Sequence, residues 1–146
     1  AKRTILASGV RPASPAAPAA STMKLQAERI EGTNAISRHG PDGVIVNGQA
    51  HTHSVIVPWK GDVAAWPVAR FADLSEAHFE LLVARGPELV IFGSGARLQF
   101  ARPALYRALI ERRIGFETMD TAAACRTYNV LLAEGRAVLA ALIFER

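Results

Sequence analysis

The fold of this chain is decided at a junction in residues 119–129, which read Met119-Asp120-Thr121-Ala122-Ala123-Ala124-Cys125-Arg126-Thr127-Tyr128-Asn129. A short run typical of a strand, Gly115 to Thr118, precedes this stretch, and a run typical of a helix continues from it. In open α/β sheets, binding sites gather where strands give way to helices. Four successive polar side chains, at positions 126–129, are dense polarity for a packing segment. The junction therefore predicts an α/β fold and the place of a site, without naming a reaction.

Segments typical of strands and helices alternate on both sides of this junction. A hairpin is predicted from Val44-Ile45-Val46 through Asn47-Gly48 to residues 52–58, because Asn-Gly adopts the positive φ angles of a two-residue turn. Helices are predicted near 75–85, 103–113 and 121–135, and strands over 89–92, 115–118 and 137–144. This order predicts a three-layer α/β/α fold with a mixed, mainly parallel central sheet and an N-terminal β-hairpin.

The composition indicates one globular domain behind a distinct N-terminal segment. At 146 residues the chain has room for a single core, which we expect within residues 23–146. Residues 1–22 are rich in alanine and proline and contain no acidic residue, which predicts a flexible tail, an added segment or a leader. A leader of this kind resembles a transit peptide. A mitochondrial location is therefore the alternative to a cytoplasmic one in a bacterium.

The charge pattern argues against a nucleic-acid partner. The formal net charge is +4, but three of the basic residues lie within residues 1–22, so the remainder is close to neutral. Nucleic-acid binding needs a concentrated basic face, which this interspersed pattern does not provide. No run approaches the ~20 apolar residues that span a bilayer, so we expect no membrane span either.

Two segments at strand ends contain the candidate binding residues. Gly93-Ser94-Gly95 follows a strand, and glycine amides beside Arg97 suit an anion, although the dinucleotide and phosphate-loop patterns are both incomplete. The alternative is a tight strand exit that glycine permits. Residues 126–129 predict either a polar pocket or protein-contact patch, or a buried network in which Arg126 pairs with Asp120 or a carbonyl and Asn129 holds a loop. If the two strands are parallel neighbours, one site would join these residues: Gly93, Ser94, Gly95, Arg97, Arg126, Thr127, Tyr128 and Asn129.

The reactive side chains predict neither catalysis nor a metal site. Cys125 lies near a helix start, where a thiolate is stabilised, but its segment holds no base, so we expect a buried apolar cysteine. His51 and His53 share a strand face, yet a metal needs a further ligand, for which His39 or Asp42 is nearest in sequence. We interpret these histidines as surface residues, and the sequence identifies no catalytic residue and no cofactor.

Several motifs together resemble the Mth-domain family, which has no known function. The motifs are Asn47-Gly48, Gly93-Ser94-Gly95, Glu117-Thr118-Met119-Asp120-Thr121, Cys125-Arg126-Thr127-Tyr128-Asn129-Val130-Leu131 and Glu134-Gly135-Arg136. The resemblance covers roughly residues 24–146, and relatives often have threonine where this chain has Ser94. It implies a three-layer α/β fold and no established enzyme activity. The family includes the adipogenesis-associated Mth-domain-containing protein and the mitochondrial NADH dehydrogenase complex I assembly factor 3, so the resemblance implies a protein partner.

Two hypotheses about function stay open at this point. The first is a non-catalytic protein-interaction or assembly-factor-like module with a protein partner. The second is a small-ligand or anion-binding protein, or an enzyme, with its site between Gly93-Ser94-Gly95 and the helix start at Arg126 to Asn129. The sequence favours the non-enzymatic hypothesis and leaves the partner, the ligand and the formation of a homo-oligomer open.

Overall fold

The computed structural model describes residues 32–145, which form eight strands and three α-helices. The strands are β1 (Ile36–Gly40), β2 (Gly43–Val46), β3 (Gln49–His51), β4 (Val55–Pro58), β5 (Ala64–Ala65), β6 (Leu89–Gly93), β7 (Gly115–Met119) and β8 (Val138–Leu142). The helices are α1 (Glu76–Val83), α2 (Arg107–Glu111) and α3 (Thr121–Ala133), with 3₁₀ turns at Phe71–Asp73 and Pro103–Tyr106. The tail expected at residues 1–22 lies outside the described residues, so the domain limits stay a prediction.

A five-stranded sheet in the order β5-β4-β8-β6-β7 is the centre of the described region. Strand β6 pairs in parallel with both β7 and β8, whereas β4 pairs antiparallel with both β8 and β5. Strands β6 and β8 are almost entirely buried, as expected for strands with both faces covered. The predicted α/β fold with a mixed sheet is confirmed.

Alternate residues of the central strands face two different core clusters. On one face Ile91 and Ala140 pack with residues of α3 and of a small sheet built from β1, β2 and β3. On the other face Val90 and Leu139 pack with residues of α1 and α2, among them Phe79. Successive side chains of a strand point to opposite faces, and this period of two separates the clusters. The five-stranded sheet therefore lies between two outer layers. One consists of α3 and the small sheet, and the other consists of α1 and α2.

The hairpin is present, but its second strand is not the predicted one. Asn47 and Gly48 have φ angles of 52° and 80°, which are the positive values that the two-residue turn requires. The chain then returns as β3, and the run predicted over 52–58 instead supplies Val55–Pro58 to the five-stranded sheet. All four residues of Val55–Pro58 are buried, so this strand needs a sheet that is covered on both faces.

Two further elements differ from the prediction. Strand β1 lies before the predicted hairpin, where we predicted no strand. Ile36 is its one buried residue, so its burial does not alternate along the strand. The helix predicted near 103–113 begins as a 3₁₀ turn at Pro103 and continues as only five α-helical residues, with Leu109 buried. The loop that contains Trp66 covers the core, since Trp66 is buried and its ring makes a T-shaped contact with Phe79.

Candidate functional site

The two predicted segments meet at the carboxyl edge of the parallel strands. Strands β6 and β7 are neighbours, so the loop after β6 and the start of α3 leave the sheet side by side. The backbone N–H of Thr121 donates to the carbonyl oxygen of Gly95 at 2.9 Å, and the N–H of Gly95 donates to Thr121 Oγ1 at 2.9 Å. The amide of Gly95 is therefore already engaged within the protein.

Close packing explains the glycines at this edge. A Cβ at position 93 would lie 3.0 Å from Thr121 Cα and 3.0 Å from Leu142 Cδ2, which leaves almost no room for a side chain. Gly95 has a φ angle of 116°, where side chains are strained. The tight strand exit, which we considered as the alternative to anion binding, is therefore present.

Ser94 is fully buried and holds the loop that follows it. Its hydroxyl donates to the carbonyl oxygen of Arg97 at 2.8 Å and accepts from the N–H of Gln99 at 2.9 Å. Two residues of the exposed loop are thereby hydrogen-bonded to one buried side chain. Such a link restricts the conformations of the loop without covering its outward side chains.

A cavity of about 460 Å³ lies beside this junction, bounded by the β1–β2 turn, the Gly95 loop, the start of α3 and the C-terminal segment. Its lining residues are His39, Gly40, Pro41, Gly95, Ala96, Thr121, Ala122, Ile143, Phe144 and Glu145. The two carboxylates on or next to this lining both accept hydrogen bonds from the protein backbone. Asp120 caps α3 by accepting from the N–H of Ala123 at 2.9 Å, and the carboxylate of the lining residue Glu145 accepts from the backbone N–H of Phe71 at 2.8 Å.

Asn129 joins α3 to the small sheet through both atoms of its amide. Its Oδ1 accepts from the backbone N–H of Ile36 at 2.9 Å, and its Nδ2 donates to the carbonyl oxygen of Ile36 at 2.7 Å. The side chain thus repeats the pair of bonds that a neighbouring strand would make with β1. This arrangement corresponds to the second interpretation of residues 126–129, in which Asn129 belongs to an internal network.

Tyr128 is fully buried and anchors the segment that leads into β1. Its hydroxyl lies 2.8 Å from the carbonyl oxygen of Asn34 and 3.0 Å from that of Pro58, and it donates to these acceptors. Burial raises the pKa of the Tyr128 phenol well above its usual range. Asn34 extends the network, because its Nδ2 donates to the carbonyl oxygen of Pro58 at 2.9 Å. Tyr128 therefore stabilises the fold as a neutral hydrogen-bond donor.

The predicted arginines have a different environment from Tyr128 and Asn129. Arg97 and Arg126 are exposed, and neither forms an ion pair with a carboxylate among residues 32–145. The pairing of Arg126 with Asp120 that we considered does not occur, and Asp120 caps α3. Thr127 is half-buried on α3. Arg97, Arg126, Thr127, Tyr128 and Asn129 do not line the cavity, and a ligand-binding role for the eight predicted residues stays a prediction.

The cysteine and the histidines occupy ordinary structural positions. Cys125 is fully buried, as expected, and burial raises the pKa of its thiol to about 12, while the charge of Arg126 acts weakly in the opposite direction. Burial, and then the charge of His53, lower the pKa of His51. Within residues 32–145 no group of three or more His, Cys, Asp or Glu side chains is arranged to hold a metal ion. None of the described helices is long and apolar enough to cross a bilayer.

Sequence reasoning missed the exposed apolar residues of the loop after Ser94. Leu98 is 51% exposed and Phe100 is 71% exposed, and Arg97 and Arg102 lie on either side of them. A loop has no periodicity from which burial can be predicted, so these residues were not distinguishable from core residues. The available signal was their composition, namely two large apolar residues between two arginines.

Comparison with known proteins agrees with this fold. The chain is 35% identical over 111 residues to a bovine (Bos taurus) protein named NADH dehydrogenase [ubiquinone] 1 alpha subcomplex assembly factor 3, covering 74% of this chain and 59% of that protein. The chain spans 45% of the mouse and human proteins of the same name. It therefore corresponds to about half the length of these mammalian relatives.

Two solved structures are similar over most of their length. A crystal structure of a Bordetella parapertussis protein is 36% identical, with a TM-score of 0.72 and coverage of 79% of this chain and 98% of that one. A solution NMR structure from Bordetella pertussis, described as a Mth938-like domain, is 31% identical with a TM-score of 0.72, covering 83% and 92%. The resemblance to the Mth-domain family is confirmed. Since a family model also matches residues 36–143, the chain belongs to the family described as protein of unknown function (DUF498/DUF598).

Proposed function

We propose that this chain is a non-catalytic protein-interaction module that assists the assembly of a multisubunit partner. The observation that carries this proposal is that the polar side chains of its most distinctive motif bind other parts of the same chain. Tyr128 and Asn129 contribute their polar atoms to hydrogen bonds with the backbone of Asn34, Ile36 and Pro58. Ser94 binds its own loop, and Cys125 is buried with a raised thiol pKa. These groups build a rigid scaffold, and in the described region large apolar side chains stand exposed on it.

The names of the relatives support the same function. The mammalian proteins to which this chain is 35–37% identical are named as assembly factors of an NADH dehydrogenase subcomplex. The shared region is the α/β domain itself, so a role that resides in this domain would be common to both. On this basis we infer that the partner of this chain is a protein, and that a subunit of an NADH dehydrogenase complex is the first candidate.

Cross-linking in the source cells tests this proposal directly. The tagged full chain is expressed at its native level, cross-linked in the cell and purified, and the linked proteins are identified by mass spectrometry. We expect a reproducible set of linked proteins that is absent from cells expressing an unrelated tagged domain of similar size. A wild-type chain that links to nothing beyond this background would refute an interaction module.

The cavity beside α3 supports a second candidate, a small-ligand protein. Its volume of about 460 Å³ lies within the range of small-molecule sites, roughly 300–1,000 Å³. Native mass spectrometry of the purified chain would detect a retained molecule as an added mass. In that case Ala122→Trp, which fills the cavity from its wall, should abolish the added mass. A retained molecule that is unaffected by this change would contradict binding in the cavity.

The cellular location follows from the partner in this proposal. Similar proteins occur both in bacteria, such as Bordetella parapertussis, and in animals, such as Bos taurus. We infer a cytoplasmic location for a bacterial chain and a mitochondrial one for a eukaryotic chain. Fractionation of source cells followed by immunoblotting of the chain checks this inference. Recovery in a different compartment from the cross-linked partner would contradict it.

A further inference from the structure

The loop over residues 96–102 carries the most exposed large apolar side chain of the described region. Phe100 is 71% exposed and Leu98 is 51% exposed, although both are large enough to contribute substantially to a core. Single exposed apolar residues are common on protein surfaces, but two of them on one short loop form a local patch. An exposed aromatic residue is also among the side chains that contribute most to protein interfaces.

The loop is held in place on both sides of Phe100. The N–H of Gln99 donates to the buried hydroxyl of Ser94, and Ala101 is buried in the core against α1 and α2. After Arg102, Pro103 begins a 3₁₀ turn. Because its two neighbours are anchored to the interior, Phe100 cannot turn inward without breaking one of these anchors. The exposure of its ring is therefore built into the fold, which lowers the entropy cost of presenting it to a partner.

Both charged residues of the loop over 96–102 are arginines. Arg97 and Arg102 are exposed on either side of the apolar pair, and no described carboxylate forms an ion pair with them. The charge that the loop itself presents to a partner is therefore positive.

We propose that the 96–102 loop is the docking surface for an acidic segment of a partner protein, with Phe100 and Leu98 as apolar anchors and Arg97 and Arg102 as the groups that pair with its carboxylates. This inference rests on the proposed interaction function and names the surface and the chemistry of the partner. Opposite charges at the rim steer association and set specificity, while the buried aromatic residue contributes most of the affinity.

A protein segment fits this surface better than a membrane or a nucleic acid. Residues 32–145 contain eleven basic and eleven acidic residues, so an extended anionic surface would meet as much repulsion as attraction. A short protein segment contacts little more than the loop, whose two charged residues are both arginines. The charges beyond about 10 Å would be largely screened from such a small partner at ordinary salt concentration.

Binding of two labelled peptides to the full chain tests the proposal. The first is a 12-residue peptide of alternating glutamate and leucine, about the length of one docked segment, and the second replaces every glutamate by lysine. Fluorescence anisotropy should show binding of the glutamate peptide, weakening with added salt, and about tenfold or weaker binding of the lysine peptide. Equal binding of both peptides, or no binding of the glutamate peptide, would overturn the proposal.

Variants of the chain locate the binding surface. We expect Phe100→Ser, and separately the double change Arg97→Glu with Arg102→Glu, to weaken binding of the glutamate peptide at least about tenfold. The matched controls are Val130→Ser, which removes an apolar residue that is 58% exposed on α3, and Arg38→Glu, which reverses a charge on β1. The controls should bind like the wild type, and circular dichroism should show that every variant is folded. Equal losses in the controls and the loop variants would overturn the proposal.

Two further measurements separate this inference from the proposed function. Sedimentation with vesicles of phosphatidylserine and phosphatidylcholine should leave the wild-type chain in solution. If the wild type binds the vesicles and Phe100→Ser does not, the partner of the loop is a membrane and not a protein segment. In the cross-linking experiment, Phe100→Ser should lose the partner that the wild type captures. If the variant captures the same partner equally, the interaction function stands and the 96–102 loop is not its surface.

Discussion

Replacing Asn129 by alanine tests whether the distinctive motif of this chain serves the fold. The change removes two hydrogen bonds to the backbone of Ile36, at 2.9 and 2.7 Å. Ile36 is only 4% exposed, so water cannot readily replace the lost partner. Each such bond contributes about 1 kcal/mol net, and leaving a buried N–H and C=O without a partner adds to the loss. We therefore expect the free energy of unfolding to fall by about 2–3 kcal/mol.

Urea denaturation, followed by far-UV circular dichroism and tryptophan fluorescence, measures this change. Val130→Ala is the matched control, because Val130 is the next residue of α3 and is exposed; we expect its effect to stay within about 0.5 kcal/mol. Asn129→Ala with a loss no larger than that of the control would refute the structural role, and would return residues 126–129 to the ligand-binding hypothesis.

The Asn129→Asp variant adds a test with a definite pH dependence. At neutral pH a carboxylate oxygen would face the carbonyl oxygen of Ile36, where Nδ2 now donates at 2.7 Å. This repulsion should raise the pKa of the new carboxyl above its unfolded value of about 3.9. Protonation restores the donor, so stability is present below the unfolded pKa and is lost as pH rises through the raised one. The variant should thus approach wild-type stability near about pH 4; a deficit that does not change with pH would contradict the geometry.

Three further predictions follow from the burial of single side chains. Tyr128→Phe removes the hydroxyl that donates to the carbonyl oxygens of Asn34 and Pro58, and should lower the free energy of unfolding by about 1–2 kcal/mol in urea denaturation; an unchanged value would contradict these bonds. Burial raises the pKa of the Cys125 thiol to about 12, so Cys125 should resist a disulfide reagent in the native state and react fully in urea. Rapid labelling of the native chain at pH 8 would refute its burial. Because burial and the charge of His53 lower the pKa of His51, protonation favours the unfolded state, and stability should decline as pH falls below about 6.5. The melting temperature of His51→Gln should depend less on pH, and an identical profile would exclude His51 as the cause.

Local patterns were sufficient for most of the fold. The apolar strands β6 and β8, the cap at Asp120 and the Asn47-Gly48 turn all follow from the residues themselves, because each depends on neighbours in sequence. The same patterns failed at β1 and at the second strand of the hairpin. Val55–Pro58 has the composition of a strand, but only the available neighbours decide which sheet it joins. The exposed β1 has no pattern at all and exists because β2 and Asn129 pair with it.

The candidate site, like the fold, was only partly predictable from the sequence. Its place could be predicted, because parallel neighbouring strands bring Gly95 and Thr121 to one edge of the sheet. The hydrogen-bond partners and the exposure of its side chains could not be predicted from the sequence. Arg126 and Asn129 lie one turn apart on α3, yet one is exposed and the other is hydrogen-bonded to a strand 93 residues away in the chain. Sequence determined which polar groups this protein has, and tertiary packing decided which of them remain available, because only the folded chain brings distant donors and acceptors within hydrogen-bonding distance.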